Sequence, residues 1–173
     1  QTGAGAATFY VDVNDNGGVG SSTDPFRTFG EAVSAVQTLG DGGSHSIFIA
    51  DGTYSDAANG GYEDYGVSGN YTLSSKSSVT IAGGYTGYTG AGYDWGTRVV
   101  KSTMLDGTGG GARFLTLNRR DAQTDISGIT FRNGYSSGDG GAIDVNSSWA
   151  GGFTATDCLF ENNHAGGNGG AID

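Results

Sequence analysis

Asp12, Asn14 and Asn16 place oxygen-bearing side chains at alternate positions ahead of Gly17, the opening of a calcium loop. Alternation lets a tight turn wrap those oxygens round one hard cation. The twelfth position, where a bidentate Glu belongs, holds Thr23, with Asp24 beside it. The competing reading is an Asx-rich turn whose side chains bind their own backbone. These three residues are the candidate metal ligands, and Ca²⁺ is the cofactor the sequence suggests. Elsewhere the reactive residues do not assemble. Gly134-Tyr135-Ser136-Ser137-Gly138 matches Gly-x-Ser-x-Gly. A nucleophile elbow, however, needs a helix after it and His and acid partners, and no helical pattern follows. His45 and His164 have no Cys or His at ligand spacing, so no zinc site is expected. Glycoside hydrolysis needs two carboxyls flanking one bond, and no spacing selects a pair from the 18 acids. The bases Arg98, Lys101, Arg119, Arg120 and Arg132 stand in no identifying motif. No catalytic residue is assigned.

Tyr85, Tyr88, Tyr93 and Trp95 share one glycine-rich stretch. Their flat faces suit the apolar faces of sugars, so they are candidates for a sugar-stacking platform, or for a plain cover over strands beneath. A second set of residues is marked by repetition. Ile129-Thr130-Phe131-Arg132-Asn133 leads to Gly140-Gly141-Ala142-Ile143-Asp144. Twenty-nine residues on, Cys158-Leu159-Phe160-Glu161-Asn162 leads to Gly169-Gly170-Ala171-Ile172-Asp173. A period in this range signals a solenoid, whose repeats bury apolar side chains only by stacking. Stacking sets Asn133 and Asn162 about 4.8 Å apart, within reach for their amides to hydrogen-bond in a row. Asp144 and Asp173 stack likewise. Two carboxylates so close either turn to solvent or share a cation, and the solvated pair is the simpler state. These four residues are the expected structural ladder.

The elements that must carry these groups are short. Tight, glycine-rich spacing excludes helical hairpins, and alternation such as Ile126-Gly128-Thr130 against Ser127-Ile129-Phe131 fits strands. Further strands are expected at Phe9-Tyr10-Val11, Ile47-Phe48-Ile49-Ala50, Tyr71-Thr72-Leu73, Val79-Thr80-Ile81-Ala82, Val99-Val100, Met104-Leu105 and Phe114-Leu115-Thr116-Leu117. One helix is expected from Thr28 to Leu39. Thr28 and Glu31 form a capping box, Phe29, Ala32, Val33 and Val36 share a face, and Gly40 ends it. Ahead of a strand-rich chain, such a helix caps the open apolar end of the first coil. Residues 56–70 and 83–96 are excursions. The chain is one domain, with an N-terminal arm, loop and capping helix over 1–46 and coils over 47–173.

Composition agrees. A chain of 173 residues can bury a sizeable core. Its 35 glycines follow no collagen period and signal turns. The net charge of −10 argues against nucleic acid as a partner. It is compatible with divalent cations, with neutral sugars, or simply with solubility. Cys158 falls in the slot of Ile129 and reads as a small apolar residue, with no disulfide framework. No apolar run is long enough to span a membrane. A start at Gln1 instead of Met suggests processing and export.

Tyr10-Val11-Asp12, Pro25-Phe26-Arg27-Thr28, the helix, Ile47-Phe48-Ile49-Ala50 and Gly52-Thr53-Tyr54 together resemble the start of parallel β-helix proteins of the pectate-lyase-like superfamily. Val79-Thr80-Ile81 with Gly83-Gly84-Tyr85, Asp94-Trp95 and Leu105-Asp106-Gly107 continue the resemblance. The Phe-x-x-Asn and Gly-Gly-Ala-Ile elements resemble repeats of polymorphic outer-membrane proteins. The resemblance implies an all-β, right-handed parallel β-helix with one N-terminal capping helix, secreted or at the cell surface. The group includes adhesins, large surface proteins and polysaccharide-degrading enzymes, whose lyases use a base beside calcium-binding Asp. The leading expectation is a non-catalytic surface, adhesive or filament-forming protein. A polysaccharide lyase or glycoside hydrolase, and a calcium-dependent carbohydrate-binding module, are the alternatives. The repeat breaks off at Asp173 in mid-coil, so the solenoid is expected to continue or its open C-terminal coil to self-associate; carbohydrate is the other partner suggested.

Overall fold

The computed structural model describes residues 5–39, 43–55, 71–73, 78–109, 113–117, 123–145 and 152–173. The excursion expected over 56–70 and the bases Arg119 and Arg120 lie outside them. The described chain is all-β with one short helix. Its elements are β1 (Ala7–Val11), α1 (Phe29–Thr38), β2 (Ser44–Ala50), β3 (Gly52–Ser55), β4 (Tyr71–Leu73), β5 (Ser78–Tyr88), β6 (Tyr93–Arg98), β7 (Thr103–Asp106), β8 (Leu115–Leu117), β9 (Gln123–Ser127), β10 (Ile129–Arg132), β11 (Tyr135–Ser136), β12 (Ile143–Val145), β13 (Phe153–Thr156), β14 (Leu159–Glu161) and β15 (His164–Ala165).

The strands form four sheets. The first runs β1-β2-β5-β9-β13, the second β3-β7-β10-β14, the third β4-β8-β12, and β11 pairs with β15. Among the described strands every pairing is parallel except that of β5 with β6. The chain visits the sheets in rotation: β2, β3 and β4; then β5, β7 and β8; then β9 to β12; then β13 to β15. Each return lands in register on the strand before it. Phe131 faces Phe160, Tyr135 faces His164 and Ile143 faces Ile172, which is the sequence repeat realised as strand pairing.

Register decides the core. In the first sheet Phe9, Ile47, Ile81 and Ile126 line up, and in the second Tyr54, Leu105, Phe131 and Phe160 do. Ile47, Ile81, Leu105 and Phe131 have no exposed surface. Each such side chain contributes about 1.5–3 kcal/mol relative to an exposed one. The rings of Phe131 and Phe160 stack within 7° at 5.1 Å. Leu115, Ile143 and Ile172 make the matching row in the third sheet.

The helix begins as its N-cap residues dictate and ends at Thr38; Gly40, the expected stop, lies outside the described residues. Glu31 N–H donates to Thr28 Oγ1 at 3.2 Å, and Thr28 N–H donates to Glu31 Oε2 at 2.9 Å. Its buried residues include Phe29, Ala32, Val33 and Val36, the face read from the sequence. That face packs on β1, β2 and β4. Both β1 and β4 end their sheets, so the helix covers apolar side chains at that end.

Two strand expectations are corrected. Val99-Val100 is not a strand. Val99 is 62 % exposed and belongs to a turn in which Ser102 N–H donates to Val99 O, with Lys101 at φ +69°. The alternation through Ile126 to Phe131 is two strands, not one. Gly128 takes φ +71°, open to glycine but not to most residues, and turns the chain between β9 and β10. Ile126, Ile129 and Phe131 therefore all face inward.

Candidate functional site

The four aromatic residues singled out in the sequence are brought together. Beyond the residues that pair with β2 and β9, β5 turns back with β6 as an antiparallel hairpin, Gly87 opposite Asp94 and Tyr88 opposite Tyr93. Trp95 and Tyr93 stack within 10° at 6.0 Å, Tyr93 meets Tyr88 at 5.3 Å, and Trp95 meets Tyr85 at 6.0 Å. Two rings not anticipated extend the group. Tyr10 lies 4.8 Å from Trp95, and Phe48 lies 4.9 Å from Tyr85 and 5.7 Å from Tyr10. Their signal was period two: Tyr10 alternates with buried Val11, and Phe48 sits between buried Ile47 and Ile49, so both point away from the core. Tyr10 is paired with Phe48 across β1 and β2, which sets the rings side by side.

Hydrogen bonds fix this terrace to the loop after β1. Trp95 Nε1–H donates to Ser22 O at 2.9 Å, and the Tyr93 hydroxyl donates to Asp15. Tyr88 N–H donates to Asp12 Oδ2 at 2.9 Å. A methyl group on Gly87, at φ +71°, would fall 2.5 Å from the same carboxylate oxygen, so only glycine lets Asp12 approach the hairpin. The Arg98 guanidinium lies 5.0 Å from the centroid of the Tyr85 ring and donates to Gly83 O. Tyr88 is 55 % exposed, Tyr10, Phe48, Tyr93 and Trp95 are half-buried, and Tyr85 is buried.

The hydrogen bond to Asp15, followed by burial and the charges of Asp15, Asp12 and Asp24, pushes the Tyr93 hydroxyl up to about 12. Burial, then the charge of Asp12, raises Tyr54 well above its ordinary value. Its hydroxyl accepts from Val13 N–H and donates to Ala50 O at 3.1 Å, inside the same corner.

At the expected calcium turn, Asp12 is fully buried and its other oxygen accepts from Asn14 N–H at 2.9 Å. Asp15 accepts from Gly17 N–H at 3.1 Å, while Asn14 and Asn16 are exposed. These bonds are those of an Asx turn. Among the described residues no group of three or more His, Cys, Asp or Glu is placed to hold a metal ion.

The ladder residues stack, but with other partners than each other. Asn133 and Asn162 follow the Arg132–Glu161 pair and take φ +58° and +52°, the left-handed region that Asn tolerates better than most side chains. The Asn133 amide donates to Asp106 Oδ1 at 2.8 Å and Thr108 Oγ1 at 2.7 Å. Asn163, next to Asn162, ties one repeat to the other: its oxygen accepts from Gly134 N–H at 2.8 Å and its amide donates to Phe131 O at 3.0 Å. The Phe-x-x-Asn spacing from Phe160 marks this residue. Asp144 pairs with Arg113, whose guanidinium also donates to Ser136 Oγ at 2.8 Å, and Asp173 is exposed. Ser136, the serine of the elbow-like motif, thus serves as a ligand of Arg113. Set against protein-family models, curated proteins and solved structures, the chain matches none of them.

Proposed function

We propose that the chain is a right-handed parallel β-helix of the pectate-lyase-like kind, closed at one end by α1. It serves, without catalysis, as part of a secreted or cell-surface protein that is structural, adhesive or filament-building. The observation that carries this reading is the rotation of the chain through its sheets, each return in register with the strand before. Crossovers between parallel strands of one sheet are right-handed in about 98 % of cases. Stacked rows of apolar rings and aliphatic side chains are what a scaffold built from repeats requires.

The non-catalytic part rests on how acids and bases are used. Asp106 is held by Arg132 at 2.6 Å, Asp144 by Arg113, Asp12 by two amides, and Arg98 by the Gly83 carbonyl. A general acid or base must reach the substrate proton, and these groups are engaged by one another or by the backbone instead. No described helix is long and apolar enough to cross a membrane. Among the described residues β13, β14 and β15 each pair on one side only, and Leu159 is 39 % exposed. A further strand from a second copy suits that edge.

Reducing-end and unsaturated-product assays over neutral and acidic polysaccharides test the catalytic part. Background values are expected, and turnover abolished by changing one Asp or Arg would overturn it. Sedimentation of residues 1–173 should show concentration-dependent association. A stable monomer at high concentration would overturn the edge pairing.

A further inference from the structure

We infer that the terrace of Tyr88, Tyr93 and Trp95, backed by Tyr10, Phe48 and Tyr85, is a binding site for a neutral glycan, whose pyranose faces stack on the rings. It rests on the reading above only in that the sugar is held and not cut. Three observations carry it. The rings are continuous and fixed: Trp95 is tied to Ser22 O, Tyr93 to Asp15, and the backbone of Tyr88 to Asp12. A surface whose rotamers are already set loses little entropy on binding. The rings also remain reachable, with Tyr88 55 % exposed and Tyr93 and Trp95 half-buried. Finally, the charges around them select the ligand. Asp15 touches Tyr93, Asp12 holds the hairpin, and the charges of Asp15, Asp12 and Asp24 all act on the Tyr93 hydroxyl, so a uronate chain would meet a negative field.

A cationic ligand fits less well than a sugar. Asp15 is occupied by the Tyr93 hydroxyl and Gly17 N–H. Arg98 already lies over the Tyr85 ring, where an outside cation would seek the π-face. Nor do Tyr93 and Trp95, stacked on each other at 6.0 Å, form the open walls of a cage. Tyr88, Tyr93 and Trp95 instead follow one another in contact, a run of rings that suits a repeating polymer.

The test uses the whole chain with Trp149→Phe, which leaves Trp95 as the sole tryptophan of the two. Its fluorescence is titrated with cello-oligosaccharides, chito-oligosaccharides, oligogalacturonates and choline, and released product is measured on the same samples. A saturable change with a neutral series is expected, with none from oligogalacturonates. Tyr88→Ala, at an exposed ring, should weaken binding about tenfold, the scale of one stacking contact, without lowering the melting temperature. Tyr93→Ala should weaken it as well. The inference is overturned by the absence of a saturable response to any neutral series at millimolar concentration. An equal response to oligogalacturonates, a response to choline alone, or binding unchanged in both variants overturns it too. Product release would instead overturn the non-catalytic reading and leave the binding site standing.

Discussion

Asp106→Asn removes one charge and keeps the side chain's shape, at the point where β7 meets the turn that follows it. Asp106 is 7 % exposed. It accepts from Arg132 at 2.6 Å, Asn133 at 2.8 Å, Thr108 N–H at 3.1 Å and Thr108 Oγ1 at 2.7 Å. Burial by itself would raise its pKa, but the bonds from Arg132, Thr108 and Asn133 outweigh it and hold the carboxyl at about 2, below its ordinary 3.8. A shift of that size corresponds to roughly 2 kcal/mol at most. The Arg132 side chain is 35 % exposed, and solvent screening reduces the expected net contribution to about 1 kcal/mol. The folded pKa lies below the unfolded one. The contribution is therefore complete above the unfolded pKa and is lost as pH falls through about 2. Thermal unfolding of parent and variant should differ by about 2–4 °C at pH 7. That gap should close between pH 4 and pH 2, because a protonated Asp106 resembles the amide. Taking the difference cancels the other acids, which both proteins share. A gap that stays constant from pH 7 to pH 2, or widens, would refute the assignment of this stability to the carboxylate.

Val33→Asp puts a carboxylate on the buried face of α1 and should cost several kcal/mol, read as a lowered melting temperature; unchanged unfolding would mean that the helix does not cover the core. Thr103 is fully buried, accepts from Gly84 N–H at 2.7 Å and donates to Ala50 O at 2.8 Å. Thr103→Val keeps its shape, strands both groups and should cost about 2–3 kcal/mol by denaturant unfolding, so a cost under about 0.5 kcal/mol would contradict the bonding described. If Asp12, Asn14 and Asn16 bind Ca²⁺, millimolar calcium should raise the melting temperature over that in chelator and Asp12→Ala should abolish the rise; superimposable melts reject the site.

The repeat was legible because a solenoid writes its spatial period into the chain. Phe131 and Phe160 share a slot in sequence and stack in space. The helix was legible because Thr28, Glu31 and the apolar stripe are local signals. The corner at Gly128 was not, since a glycine within an alternating run reads equally as strand interior. Val99-Val100 misled for a related reason. Two β-branched residues carry strand propensity, but Val99 N–H donates to Gly84 O across the hairpin while Lys101 turns the chain. The terrace was half legible. Its hairpin residues stood out as a cluster, whereas Tyr10 and Phe48 join it only through the pairing of two strands far apart in sequence.

The acidity of the chain, compatible in sequence with cations, neutral sugars or simple solubility, has a nearer use in the fold. Parallel strands joined by tight turns leave amide groups at the corners that no sheet can satisfy. Carboxylates stand beside them. Asp12 takes Asn14 and Tyr88, Asp15 takes Gly17, Asp94 takes Gly96 and Thr97, Asp106 takes Thr108, and Asp139 takes Asn168 of the next repeat. In several of these the amide lies two residues beyond the acid, the spacing of an Asx turn. Such bonds favour the ionised form, as the lowered pKa of Asp94 illustrates, so the charge is retained where it is used. Asp12, which made calcium plausible on paper, thus holds a corner of a glycine-rich chain through Asn14 and Tyr88, and beside it the rings of Tyr88, Tyr93 and Trp95 stay within reach of solvent.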